Sequence, residues 1–180
     1  MSRTLPAKAL YTPEQRIRRD NTRWTLVQGL LAPLQFLVFA ISVVLVLRYL
    51  YNGAGFDAAT ASVVLKTLLL YTIMVTGCIW EKVVFDEWCF AEAFFWEDVF
   101  SMLVLALHTA YLVALFTDSL GARGQMLLAL AAYVTYVINA TQFILKLRAA
   151  RLGAAAQDAE TARAAAHSAV GSNPSQGVAV

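Results

Sequence analysis

Four apolar runs decide what this chain can become. They cover roughly residues 24–50, 58–80, 94–117 and 124–147. Each holds about 20 residues or more, enough at about 1.5 Å of rise per residue to cross a hydrocarbon core ~30 Å thick. Lipid offers no partner to a backbone N–H or C=O, so segments of this kind must satisfy their own amides, and a helix does so within one segment. The expected fold is all-α: an integral membrane four-helix bundle over residues 24–148, with a basic segment 1–23 before it and a flexible tail 149–180 after it. Composition agrees. The chain is 59% hydrophobic and 14% charged, whereas soluble domains run at about 45–50% and about 25%. Pro33 lies inside the first and longest run and predicts a kink or a tilt there.

Charge sets the expected orientation. Arg3, Lys8, Arg16, Arg18, Arg19 and Arg23 precede the first run, and Lys146, Arg148, Arg151 and Arg163 end or follow the fourth. The connections at 51–57 and 118–123 are short and nearly free of positive charge. The positive-inside rule then places both termini in the cytoplasm, as an even number of spans requires. The stretch "YTPEQRIRRD" has the pattern of a short amphipathic N-terminal helix lying on the inner surface, with Thr12 as its cap and Pro13 at its first position. A solvated basic lead-in is the plainer alternative. About twenty polar and basic residues precede any apolar run, which argues against a secretory signal. Cys78 and Cys89 fit neither a C-x-x-C pair nor a zinc spacing, so both are expected to be unpaired. The tail after Leu152 is rich in Ala, Gly and Ser and is expected to be disordered or loosely helical, with His167 a solvated bystander.

Each run carries a polar seam. At 100° per residue, Glu97, Ser101, His108 and Tyr111 share one stripe, with Asp98 about 100° away. Lys66, Gly77 and Glu81 share a side of the second run, Gln28, Gln35 and Ser42 repeat at seven in the first, and Thr135, Asn139, Gln142 and Lys146 align in the fourth. Lipid cannot satisfy these groups, so the seams should face one another or a wet cavity. Counting residues from each end puts Glu81, Glu97, Asn139, Gln142 and Gln28 in the inner half. His108 falls about 16 Å beyond Glu97, near the depth of Lys66. The expected site is a cavity opening to the inner interface and ringed by acids and amides. Glu97, Asp98, His108 and Glu81 are the candidate catalytic groups. Gln28, Gln35, Trp80, Trp96, Tyr111, Asn139 and Gln142 are the candidate substrate contacts.

Plainer readings stand beside these. Glu97, Asp98 and the Glu81–Lys82 pair suit interfacial charges, Lys66 suits a snorkelling side chain, and the amides suit helix–helix hydrogen bonds. Trp80, Phe85, Trp88, Phe90, Phe94, Phe95 and Trp96 suit an aromatic belt, or a surface for a flat aromatic ligand. No P-loop, H-E-x-x-H, nucleophile elbow or dinucleotide-binding glycine pattern occurs in the sequence.

The wording of the chain adds a further expectation. "YTPEQRIRRDNTRWTLVQGLLAPLQFLVF", "TASVVLKTLLLYTIMVTGCIWEKVVF", "FFWEDVFSMLVLALHTAYL" and "YVINATQFILKLRAARL" resemble, in this order, the 3-vinyl bacteriochlorophyllide hydratase family over about residues 11–152. The resemblance implies a hydro-lyase of bacteriochlorophyll biosynthesis. Such an enzyme adds water to the 3-vinyl group of a chlorophyllide or bacteriochlorophyllide to give a 3-(1-hydroxyethyl) group, with no cofactor consumed. It implies residence in a bacterial inner, intracytoplasmic membrane. The implied partners are the tetrapyrrole substrate, the bilayer, and further copies of the chain or other pigment-biosynthesis enzymes, and no nucleic acid. Vinyl hydration needs a proton at the terminal carbon, water at the inner carbon and relief for the cation between, which suits a desolvated carboxylic acid beside a second carboxylate. Glu97 is the expected general acid, Asp98 or Glu81 its partner, and His108 a proton relay or a ligand of the pigment magnesium. A pigment-binding subunit without chemistry is the alternative from another class.

Overall fold

The computed structural model describes residues 10–171, and among these no strand occurs. Five helices follow in order: α1 (Pro13–Asn21), α2 (Arg23–Asn52), α3 (Phe56–Phe85), α4 (Phe95–Phe116) and α5 (Ala122–Gly171). The last four are long and apolar enough to cross a membrane. The expected membrane-spanning four-helix architecture is therefore present, with the short N-terminal helix ahead of it. At 30 residues each, α2 and α3 are about 45 Å long, which exceeds a ~30 Å hydrocarbon core and is accommodated by tilt or by ends that emerge from it. α2 runs through Pro33 as one helix.

Local chemistry sets the boundaries. Thr12 and Gln15 form a reciprocal capping box at the start of α1. Gln15 N–H donates to Thr12 Oγ1 at 3.2 Å, and Thr12 N–H donates to Gln15 Oε1 at 2.9 Å. The α2–α3 turn depends on Gly53 and Gly55, with φ of 72° and 84°, a region that side chains disfavour. α3 stops at Asp86, also left-handed (φ 66°), whose N–H reaches Lys82 O at 3.1 Å. Lys82 Nζ returns to the Asp86 carbonyl at 2.9 Å and to its carboxylate at 2.8 Å, and it holds that exposed carboxyl below the usual range.

Residues 11–143 form one compact unit. α2 and α3 lie antiparallel in a register marked by Gln28 with Thr76 (2.7 Å) and Ser42 with Ser62 (2.6 Å). One part of the core packs Val46, Ala59, Val63, Tyr111, Met126, Ala129 and Tyr133. A second apolar layer packs Leu70, Val104 and Tyr136. Leu26, Leu30, Val44, Leu65, Val75 and Val134 face outward, as lipid requires. Small core residues such as Ala59 and Ala129 let the helices approach closely. α5 beyond residue 143 belongs to a second unit. There the chain expected to be disordered or loosely helical is helical to Gly171, in keeping with the high helix propensity of its alanines. Residues 1–9 and 172–180, parts of the expected basic segment and tail, lie outside the described residues.

The Ser42 hydroxyl joins three helices, through Ser62 on α3 and Tyr133 on α5, each at 2.6 Å. Tyr133→Phe keeps the ring and removes that bond. It is expected to lower stability by about 1 kcal/mol, read by unfolding in mixed micelles. Tyr51→Phe, at a side chain 93% exposed, is the control and should change nothing.

Candidate functional site

Three buried carboxyl groups lie at the adjoining ends of α3 and α4. Glu81 sits near the end of α3, and Glu97 and Asp98 lie in the first turn of α4. All three are buried, none more than 8% exposed. The sequence pattern separates Asp98 from the Glu97 stripe. The connection between α3 and α4 resolves that by folding back to form a further wall. Phe90 N–H donates to Asp98 Oδ2 at 2.8 Å, and Ala91 N–H donates to Glu81 Oε2 at 3.1 Å. Cys89 and Phe90 adopt φ of 49° and 57°, conformations that a chain keeps only where its surroundings over-determine them. The N–H groups of two adjacent loop residues thus hold the Glu81 and Asp98 carboxyls side by side.

The same connection corrects the expectation of unpaired cysteines. Cys78 and Cys89 form a disulfide, with Cα atoms 4.8 Å apart. Their separation of 11 residues matches no recognised pairing motif, and only the fold-back of the chain over the end of α3 brings them together. The disulfide and the two carboxylate bonds therefore secure one short stretch of backbone.

One turn along α4, Asn139 Nδ2 on α5 donates to Ser101 Oγ at 2.8 Å, so a seam amide faces the site. Gln28 bonds Thr76, Gln142 is half-buried, and Trp80 Nε1 donates to Thr25 Oγ1 at 2.9 Å. Trp80 also sits edge-on to Phe85 and Phe94, so it belongs to a packed aromatic cluster. Trp96 is 68% exposed and faces outward. Tyr11, just before α1, stacks on Phe85 at 5.7 Å. Burial pushes its phenol above the ordinary value, with Arg19 opposing.

A second polar layer lies beyond Leu70, Val104 and Tyr136, about 16 Å from Glu97 along α4. His108 and Lys66 are fully buried there, so Lys66 does not snorkel. His108 Nδ1 lies 2.8 Å from the Val104 carbonyl. A carbonyl only accepts, so Nδ1 carries the hydrogen and Nε2 of the neutral ring presents a lone pair. That Nε2 is buried and has no hydrogen-bond partner. Tyr133 packs at 5.8 Å from the imidazole, and Tyr111 and Gln35 are buried in neighbouring turns. The structure thus brings Glu81 and Asp98 together on one loop, with Glu97 next to Asp98 in the first turn of α4 and Asn139 bonded one turn along. It sets His108, Tyr111 and Gln35 in the other layer. Among the described residues no cluster of His, Cys, Asp and Glu suits a metal ion.

The 2-vinyl bacteriochlorophyllide hydratase family matches residues 11–149. A 2-vinyl bacteriochlorophyllide hydratase of Rhodobacter capsulatus is 68% identical over 154 residues, which cover 86% of this chain and 90% of that protein. One of Cereibacter sphaeroides is 71% identical over 147 residues, covering 82% and 91%. No solved structure matches the chain.

The disulfide has a direct check. Protein extracted under non-reducing conditions and treated with a thiol alkylator should gain no label at Cys78 or Cys89 and should gain two after reduction, read by intact mass. Full labelling without reductant would contradict the pairing.

Proposed function

The chain belongs to the 2-vinyl bacteriochlorophyllide hydratase family, and we propose that it is a hydro-lyase adding water across the vinyl group of a bacteriochlorophyllide or chlorophyllide in bacteriochlorophyll biosynthesis. The burial of Glu81, Glu97 and Asp98 at the adjoining ends of α3 and α4, two of them bonded to one loop, supports this reading. Hydration of a vinyl group needs one group to give a proton and another to take one, and carboxyls serve for both.

In this reading Glu97 protonates the terminal vinyl carbon. It stands on the α4 face that also buries Ser101, Val104, His108 and Tyr111, so it addresses the bundle interior. The carbon next to the macrocycle becomes cationic, and the conjugated ring spreads that charge. The carboxylate left on Glu97 and the neighbouring Glu81–Asp98 pair stabilise it. Water adds to the cationic carbon and yields its proton to the pair, which returns a proton to Glu97. The substrate gains one H and one OH, and the carboxyl groups end as they began. Loop amides at Phe90 and Ala91 hold the pair in register, so the reacting oxygens need no reorganisation at the moment of reaction.

His108 completes the placement. Its buried Nε2 lone pair suits an axial bond to the magnesium of the bound pigment. The pigment would thus lie with its vinyl edge towards the acids and its centre towards the second layer. The positive-inside distribution supports an orientation with both termini and the acid layer at the cytoplasmic side of a bacterial inner, intracytoplasmic membrane.

Purified protein given vinyl pigment should form a product heavier by one water. Glu97→Gln should reduce turnover by about 100-fold or more while pigment binding, read by the shift of the pigment absorption band, persists. Near-wild-type turnover in that variant would defeat the assignment of Glu97. His108→Ala should weaken binding and alter the bound pigment's spectrum.

A further inference from the structure

Lys66 carries a donor with nothing to donate to. Its side chain is fully buried on α3, and Nζ has no hydrogen-bond partner. Its one described contact is the face of Tyr136, 3.7 Å from the ring centroid. A ring face offsets only part of what an ammonium loses on leaving water. Among the described residues no carboxylate pairs with Lys66. Gln35 Nε2 is a second buried donor without an acceptor. The register that sets Ser42 against Ser62 and Gln28 against Thr76 places Gln35 level with residue 69, one turn from Lys66. Ammonium and amide N–H groups only donate. The acceptor lone pairs left over in this layer, on His108 Nε2 and the Tyr111 hydroxyl, belong to neutral groups, so what it lacks is an anionic acceptor, which satisfies Lys66 best.

We propose that Lys66, with Gln35 beside it, receives the free carboxylate of the pigment's propionate side chain and so selects a chlorophyllide over an esterified chlorophyll. This rests on the hydratase reading above. The name chlorophyllide denotes a tetrapyrrole whose propionate is not esterified, so the substrate brings one negative charge on an arm at its edge. That arm cannot lie beside Glu81, Glu97 and Asp98, where like charges repel. The vinyl edge must lie there if it is to be protonated. The carboxylate then points to the opposite layer, where the one fully buried cation of the described core waits. About 16 Å along α4 separates the layers, so a ring whose centre and carboxylate are held at the second layer turns its vinyl edge towards the acids. Charge thereby sets which edge of a flat, nearly symmetric ring meets the acids.

The test compares a vinyl chlorophyllide with its methyl ester on the full chain in lipid nanodiscs, measuring both equilibrium binding and turnover. Wild type should bind and hydrate the free acid at least tenfold better than the ester. Lys66→Met should lose that preference by weakening the acid and leaving the ester unchanged. Equal affinity of wild type for acid and ester overturns the proposal without recourse to any variant, as does an equal loss on both substrates in Lys66→Met. If wild type prefers the acid in binding but hydrates neither pigment, the carboxylate site stands and the hydratase reading falls. If it hydrates both pigments equally well, the hydratase reading stands and the carboxylate site falls.

Discussion

A polar side chain inside a bilayer has no water to turn to, and that constraint arranges the rest of this protein. Each of the four long helices is apolar on most of its circumference and polar along one seam. Packing the seams inward satisfies Ser42 against Ser62 and Tyr133, Gln28 against Thr76, and Asn139 against Ser101. The same operation that lets the helices pack concentrates every buried ionisable group of the described bundle in the interior. Fold and site are thus products of one partition between lipid and protein.

The interior is divided. An acid layer holds Glu81, Glu97 and Asp98, a basic layer holds Lys66 and His108, and Leu70, Val104 and Tyr136 lie between. Unlike charges kept apart by an apolar floor cannot neutralise each other. In the proposed reading each layer acts on a different part of the pigment, which gives an asymmetric ring a defined direction. The short connection at residues 86–94 closes the acid layer. Its left-handed residues, its disulfide and its two amide bonds to carboxylates reinforce one another.

Much of this was legible in the residues alone. Run length specified four spans, and the stripe of Glu97, Ser101, His108 and Tyr111 predicted a buried face that the structure buries in full. The cap at Thr12 followed from local chemistry in the same way. What escaped notice depends on chain reversal. The Cys78–Cys89 disulfide and the loop amides on Glu81 and Asp98 arise because residues 86–94 fold back, and helical periodicity says nothing about a loop. Lys66 looked free to snorkel because a single lysine eight or so residues into a span is ambiguous, and only the placement of Tyr136 on a neighbouring helix shows that it turns inward. The division into two layers was half visible: residue counting gave the distance from Glu97 to His108, but not the apolar floor between them.

The proposed placement sets the vinyl edge of the pigment against the acids. Solid-state NMR on the lipid-embedded protein, loaded with pigment carrying ¹³C in the vinyl group, measures that placement directly. Dipolar contacts are expected from the vinyl carbons to the side-chain carboxyl carbons of Glu97 and its neighbours. Contacts to lipid acyl chains in their place, in protein that has bound the pigment, would contradict it.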